Sequence, residues 1–238
     1  MSKLKNNDDN LKKFKALKKE KNESVGDYAV RVIEYNIINM SLPPGTFISE
    51  KIISDMLDIS RTPVREAFAR LEKANFIEIY PQKASRVSLI DIDIIDETSF
   101  IRRTLEKEII KTVCEKHSVE DLNLLSDNIS QYEKNMKGDD LYKLLNIDSN
   151  FHKILFLIAN KKLTYNIIKD SIKHFNRERI FNLMEMDRIR ILKEHQDIFQ
   201  AIKEKNSKKA ISLIETHLTH VTEDLEFLKS KFPNYFKD

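Results

Sequence analysis

Apolar residues recur every three or four positions through most of the chain, which is the spacing of amphipathic α-helices. In the first third, this pattern predicts a helix over residues 25–40, a short helix over 50–57 capped by Ser49, and a third helix that begins near Ser60. The run Leu42-Pro43-Pro44-Gly45 predicts the end of the first helix, because proline cannot continue a helix and glycine permits the turn.

Two short alternating runs follow the third helix and predict strands over residues 76–80 and 86–89. The segment between them contains Lys83 and predicts a basic hairpin tip. A short helix, a tight turn, a second helix and a hairpin together predict a winged helix-turn-helix domain over residues 25–90. In this fold the wing places Lys83 and Arg86 near phosphate or the minor groove.

From residue 91 onward the helical patterns become long, and they predict a separate antiparallel all-α bundle over residues 91–232. The fold class is therefore mainly α. We predict six helices in this part of the chain, near residues 92–117, 119–137, 140–159, 162–184, 187–204 and 207–230.

The third helix combines a buried stripe with two arginines at its leading end. Its apolar positions, spaced for one face of a helix, are Val64, Ala67, Phe68 and Leu71. Arg61 and Arg65 lie one turn apart on a different face, with Ser60 or Thr62 available to cap the helix. This arrangement is typical of a helix that enters a DNA major groove, where a guanidinium contacts phosphate or guanine. The alternative is an ordinary amphipathic helix with a solvated face.

Charge and composition favour a nucleic-acid-binding function in the first domain. The net charge of +3 is uneven, with 16 basic and 12 acidic residues in positions 1–90 against 25 and 26 in the remainder. Residues 1–24 carry eight lysines and predict a basic flexible arm. One cysteine excludes an intramolecular disulfide framework, and no apolar run approaches the roughly 20 residues of a membrane helix. We expect a soluble cytoplasmic protein with no membrane association.

Four polar residues fall on otherwise apolar helical stripes of the bundle: Asp148, His152, His195 and His217. Burying unpaired polar groups costs roughly 2–7 kcal/mol each in an apolar medium, so these four need a shared partner. Three imidazoles and a carboxylate suit a divalent metal such as Zn, Ni, Mn or Fe. The alternative is that each histidine is a core residue bonded to a backbone carbonyl. His174 is predicted as a further polar group lining the cavity.

Two motifs resemble a known family. Ser60-Arg61-Thr62-Pro63-Val64-Arg65-Glu66-Ala67, with the upstream Leu42-Pro43-Pro44-Gly45, resembles the GntR family of bacterial transcription regulators. Phe100-Ile101-Arg102-Arg103-Thr104-Leu105-Glu106 resembles the opening of the FCD ligand-binding domain of its FadR-like branch. Asp148-x-x-x-His152, Glu194-His195 and His217 are similar to the metal-ligand pattern of that domain. The predicted number of helices in this domain, six rather than seven, resembles that of the VanR-like variants.

The resemblance implies roles for individual residues. The implied contacts with double-stranded operator DNA are Arg61 and Arg65, with Lys51 and Thr62 in support and Arg70 on phosphate. Ala84 stands where the family's wing usually carries a glycine. In the C-terminal domain, a metal and nearby basic residues would hold a small-molecule carboxylate effector. Arg102 or Arg103 is the candidate clamp, because a guanidinium fork binds a carboxylate at two points; the alternative for at least one of them is a structural ion pair. A homodimer is also expected.

Three functions compete on this basis. The first is a metabolite-responsive transcription regulator, most often a repressor, and not an enzyme. The second is a metalloenzyme with a basic appendage, and the third is a metal-dependent structural or sensor module. A metalloenzyme needs a general base beside the metal, yet Glu194 is predicted to point about 100° away from His195 around the helix. The arginine helix and its wing favour the first function, because neither rival needs them.

Overall fold

The computed structural model describes residues 9–185 and 188–237, without the side chains of residues 170–172, 174 and 221–223. The chain divides into two compact units. One contains the residues up to Asp91 together with the C-terminal segment from Phe232, and the other is Ile92–Lys231. The predicted mainly α class is confirmed. Among the described residues, none of the helices combines the length and apolar character that a membrane span requires.

The N-terminal unit is a winged helix-turn-helix, as predicted. Its elements are α1 (Val25–Ile38), β1 (Phe47–Ile48), α2 (Glu50–Leu57), α3 (Arg61–Lys73), β2 (Ile77–Glu78) and β3 (Ser85–Val87). The strands form an antiparallel sheet in the order β1-β3-β2, with Phe47 opposite Arg86 and Ile77 opposite Val87. Strand β1 was not predicted, because two residues are too few to show an alternating pattern.

Local capping explains where these helices begin and end. The Ser49 hydroxyl accepts a hydrogen bond from the Ile52 amide at the start of α2, and Asp58, at φ 52°, ends that helix in the left-handed conformation. Helix α1 ends at Ile38, two residues before the predicted end, and Met40 is left-handed at φ 63°. Ser60 occupies the cap position of α3 but makes no side-chain capping bond. The predicted apolar stripe of α3 is buried as expected.

Residues 9–24, predicted as part of a basic flexible arm, instead make specific contacts with α1. The buried Asn36 side chain accepts a hydrogen bond from the Lys15 amide at 2.7 Å and donates one to the Lys15 carbonyl at 3.0 Å. Tyr28 donates to the Leu17 carbonyl at 2.9 Å, and Arg31 pairs with Glu23 at 2.6 Å. Polar groups on α1 therefore hold the segment despite its low apolar content. Residues 1–8 lie outside the described residues.

The C-terminal unit is an all-helical bundle, and each helix end lies within two residues of its prediction. Over the described part of residues 92–231 its helices are α4 (Ile92–Lys116), α5 (Val119–Asn135), α6 (Leu141–Ile158), α7 (Lys162–Glu185), α8 (Arg188–Lys203) and α9 (Ser207–Lys231). Helix α4 packs along α9, and α5 packs against α6. A reciprocal capping box between Ser118 and Asp121 opens α5.

The C-terminal segment, which follows the predicted bundle of residues 91–232, packs within the N-terminal unit. Phe236 is only 3% exposed. The Ile90 amide donates to the Tyr235 carbonyl, the Lys237 amide donates to the Ile90 carbonyl, both at 2.8 Å, and the Lys237 ammonium pairs with Asp91 at 2.7 Å. One buried aromatic ring and two backbone hydrogen bonds thus fix the segment beside residues 90–91.

We predict that Phe236→Ala loosens this attachment. In a protein core, Phe→Ala costs roughly 3–5 kcal/mol. If the attachment lost only about 1.4 kcal/mol of this, amide exchange at Ile90 would become about tenfold faster. Hydrogen exchange followed by mass spectrometry or NMR measures this rate. Phe227, whose side chain is 48% exposed, supplies the control Phe227→Ala. Equal exchange at Ile90 in the two variants would contradict the prediction.

Candidate metal centre and DNA-contacting surface

The four polar residues predicted as metal ligands come together inside the C-terminal bundle. Asp148 and His152 lie one turn apart on α6, His195 lies on α8 and His217 on α9. Each offers one ligand atom, and these atoms all lie within 4.8 Å of one another. All four residues are buried. The i, i+4 spacing on α6 brings two of them to one face, and packing of α8 and α9 supplies the others.

Carboxylates fix the orientation of two of these histidines. The distance from His152 Nδ1 to Glu106 Oε2 is 2.5 Å, and that from His217 Nδ1 to Glu194 Oε2 is 2.6 Å. Because a carboxylate accepts, these contacts assign the proton to Nδ1 in both rings and leave the Nε2 lone pairs free. The two Nε2 atoms face each other at 3.3 Å. Two converging lone pairs at this distance repel unless a cation lies between them.

His195 is the most deeply buried of the three histidines, at 0% exposure. Its ring stacks on Phe151 with centroids 4.0 Å apart, and its Nε2 lies 3.3 Å from Asp148 Oδ1. Within the described residues, neither ring nitrogen has a hydrogen-bond partner. Among the contacts of the described residues, none of the three histidines of the cluster bonds to a backbone carbonyl in the way an ordinary core histidine would.

The electrostatics of the cluster keep its histidines neutral and the supporting Glu106 carboxylate charged. Burial lowers the pKa of His152 and His195, and it lowers the pKa of His217 to about 4 despite the opposing bond to Glu194. Burial alone would raise the pKa of Glu106, but the neighbouring Arg102 and His152 lower it. Metal ligands must be deprotonated, so this state suits metal binding at neutral pH.

The donor set fits a divalent metal ion. Three imidazoles and one carboxylate suit Zn, Ni, Mn or Fe. The carboxylates behind His152 and His217 match the usual support of metal-bound histidines, which donate their other ring N–H to an oxygen acceptor. When bound, such an ion would act as a Lewis acid toward a carboxylate ligand.

A cavity opens beside the cluster and is lined by three arginines, Arg102, Arg179 and Arg190. Arg102, a predicted effector clamp, is 2% exposed and donates from Nε to Glu106 Oε1 at 2.8 Å, so it also makes a structural ion pair. Arg103 is half-buried and is not among the lining residues. The side chain of His174 lies outside those that the structure describes.

Several residues of this site escaped the sequence analysis. Glu194, predicted to point away from His195, bonds to His217 Nδ1 at 2.6 Å and to His220 Nδ1 at 2.7 Å. His220 also lines the cavity. Glu106 lies in the Phe100–Glu106 motif, but the motif did not indicate a role for this residue. The pattern of apolar and polar positions did not single out Arg179 on α7.

The predicted DNA-contacting side chains in the N-terminal unit are all exposed: Lys51, Arg61, Thr62, Arg65, Arg70 and Lys83. Arg65 Nη2 pairs with Glu50 at 3.0 Å, and Arg70 pairs with Asp27 at 2.7 Å. Exposed ion pairs contribute little to stability because water and salt screen them, so a phosphate could displace them.

The wing turn is compatible with Ala84. Its left-handed residue is Gln82, at φ 59°, whereas Ala84 is not among the residues with positive φ. The backbone at position 84 therefore does not require a glycine.

Comparison with known proteins gives two domain matches that together span most of the chain. Residues 28–87 match the family described as bacterial regulatory proteins, gntR family, and residues 97–220 match the FCD domain. The HTH-type transcriptional repressor RspR of Escherichia coli K12 is 26% identical over 220 residues, covering 91% of this chain and 95% of that protein. The HTH-type transcriptional regulator YdhC of Bacillus subtilis is 27% identical over 197 residues, covering 81% and 86%.

A solved structure shares the fold. E. coli McbR/YncC superposes with a TM-score of 0.70 at 18% identity, covering 88% of this chain and 99% of that one.

We predict that the purified chain binds one divalent metal ion. Binding stabilises the fold by mass action, by about 4 kcal/mol when free metal exceeds its dissociation constant a thousandfold. Metal analysis, and melting with and without a chelator, test this. His195→Ala/His217→Ala should abolish both uptake and stabilisation. The control His117→Ala should not, because His117 lies at the end of α4 and contacts the Val113 carbonyl. Equal metal content in all three proteins would place the metal elsewhere.

Proposed function

This chain belongs to the GntR family of bacterial regulatory proteins and carries an FCD domain, and from that premise we propose that it is a metabolite-responsive repressor. Its operator affinity would be controlled by a small carboxylate held at a metal site formed by Asp148, His152, His195 and His217. The matched families and relatives are transcription regulators and not enzymes.

The observation that carries this proposal is the buried cluster beside an arginine-lined cavity. A metal at the four donors would leave room for a ligand from the cavity side, where Arg102, Arg179 and Arg190 offer guanidinium groups. Guanidinium and metal together are the two groups that bind a carboxylate most strongly. The described lining residues also include two apolar side chains, Leu183 and Ile191, which would contact an apolar part of the effector.

DNA reading is proposed for the N-terminal unit. Arg61 and Arg65 would enter the major groove, with Lys51 and Thr62 in support, Arg70 on phosphate and Lys83 on the wing. A regulator that reads operator DNA would work in the bacterial cytoplasm. The repressor role is supported by the name of one relative, RspR, which is 26% identical.

Control by an effector requires two states of the protein with different effector affinities, since a ligand shifts an equilibrium only by its differential affinity. Helix α9 carries His217 and continues directly into the segment that packs beside residues 90–91. A change at the metal centre would therefore have a covalent path to the N-terminal unit.

A second candidate function is a sensor of the metal itself. The carboxylate support of His152 and His217 favours it, because these contacts build a strong metal site without any effector. The two functions differ in the ligand that changes operator affinity: titration of metal alone would suffice for a metal sensor, whereas a carboxylate-responsive repressor would respond only when both are present.

We predict that Arg61→Ala/Arg65→Ala loses specific DNA binding while its fold remains intact. Each lost bidentate base contact costs roughly 1–3 kcal/mol, so operator affinity should fall at least about tenfold. Fluorescence anisotropy with an operator selected from random sequences measures this. The control Lys116→Ala removes an exposed charge at the end of α4. Full operator affinity in the double variant would contradict the role of Arg61 and Arg65 in DNA recognition.

We also predict a homodimer, because one recognition helix reads too few base pairs for useful specificity. Phe100, Leu163 and Ile167 expose 65%, 74% and 69% of their surface and give the C-terminal unit apolar area for an interface. Sedimentation velocity should give about twice the chain mass of 28.0 kDa. A monomer at micromolar concentration, both free and on DNA, would be the contrary result.

A further inference from the structure

Arg179 stands out among the cavity arginines because its carboxylate partner is one of the candidate metal ligands. The guanidinium is buried, and its Nη2 pairs with Asp148 Oδ2. On its other side, Nη1 donates to Ser149 Oγ at 3.0 Å and to Asn176 Oδ1 at 2.8 Å. Two neutral acceptors therefore anchor Nη1, while the partner of Nη2 among the described residues is the Asp148 carboxylate.

The other two cavity arginines have partners outside the donor set. Arg102 bonds to Glu106 at 2.8 Å, and Arg190 Nη2 bonds to Asp224 Oδ2 at 2.6 Å. A metal bound at the four donors would leave both of these pairs intact. It would draw on Asp148 alone, whose second oxygen, Oδ1, already faces His195 at 3.3 Å.

A single carboxylate cannot fully compensate both a divalent cation and a buried guanidinium. Leaving a buried charge uncompensated is strongly unfavourable. With neutral histidines, the three cavity arginines face four carboxylates among the described lining residues and their ion-pair partners, which are Asp148, Glu194, Glu106 and Asp224, so these groups carry an excess of one negative charge. A divalent ion would turn this into an excess of one positive charge, which one carboxylate would neutralise.

We propose that Arg179 shares Asp148 with the metal, and that metal loading frees the Arg179 guanidinium to bind a monoanionic carboxylate. The anion therefore binds the metal-loaded protein far more tightly than the metal-free protein. Arg179, and not Arg103, is the anion-binding arginine made available by the metal. This inference rests on the proposed metal site and defines the charge of the ligand and the order in which metal and anion bind.

Co²⁺ and acetate are suitable probes for the full-length protein, because the visible absorption of Co²⁺ responds to its coordination. In the wild type, acetate should change the Co²⁺ spectrum saturably and should raise the melting temperature only when Co²⁺ is present. In Arg179→Gln, one Co²⁺ should bind at least as tightly as in the wild type, because the competing cation is gone, while acetate should bind at least about tenfold more weakly.

Two further variants separate charge from structure. Arg179→Lys keeps the charge but not the planar fork, so acetate affinity should recover in part. The control Arg103→Gln removes a half-buried arginine outside the cavity and should behave as the wild type does. The wild-type comparison with and without Co²⁺ requires no variant, so a folding defect at position 179 would not hide the answer.

The outcomes are distinct. If the wild type holds no stoichiometric Co²⁺, the metal site fails and this inference fails with it. If Co²⁺ binds but acetate binds equally well to Arg179→Gln, or equally well to metal-free wild type, the metal site stands and the role of Arg179 is wrong. Tenfold weaker Co²⁺ binding by Arg179→Gln would likewise contradict competition for Asp148.

Discussion

The approach of two imidazole nitrogens, His152 Nε2 and His217 Nε2, to 3.3 Å is the contact around which the C-terminal unit is organised. Glu106 and Glu194 hold the opposite nitrogens of these rings, so the lone pairs converge at the centre of the bundle. The participating side chains come from α4, α6, α8 and α9. A bundle that buries this arrangement must pack four helices in register around it, and a divalent ion bound there would relieve the repulsion at its centre.

The ion pairs of the two units differ in burial, and therefore in how easily their arginines can change partner. Inside the C-terminal unit, Arg102 and Glu106 are 2% and 1% exposed, and breaking such a pair by removing one partner is strongly destabilising. On the N-terminal unit, the exposed pair between Arg65 and Glu50 contributes little, so the arginine can exchange its carboxylate for a phosphate or a base. The exposed arginines are thus available to a new partner. The buried arginines change partner only when another ion or charged group enters the cavity beside them.

The helices were predictable because their signal is local. Ser49, the apolar stripe of α3 and the bundle breaks all lie within a turn or two of the structure they determine. The four candidate metal ligands could be predicted because a polar residue on an apolar stripe is visible in the sequence. The partners of those ligands were not, because Glu106 and Glu194 meet His152 and His217 only through packing between helices. Strand β1 was too short to detect, and the burial of Phe236 depends on a contact 146 residues away in sequence, at residues 90–91.

Selective ¹⁵N labelling of histidine tests the central arrangement most directly. At neutral pH without metal, the NMR spectrum should assign the proton of His152 and His217 to Nδ1, with both Nε2 atoms deprotonated. Stoichiometric Zn²⁺ should then shift the Nε2 resonances of both residues. A proton found on Nε2 of either ring, or Nε2 resonances that Zn²⁺ leaves unchanged, would contradict the carboxylate-supported metal centre.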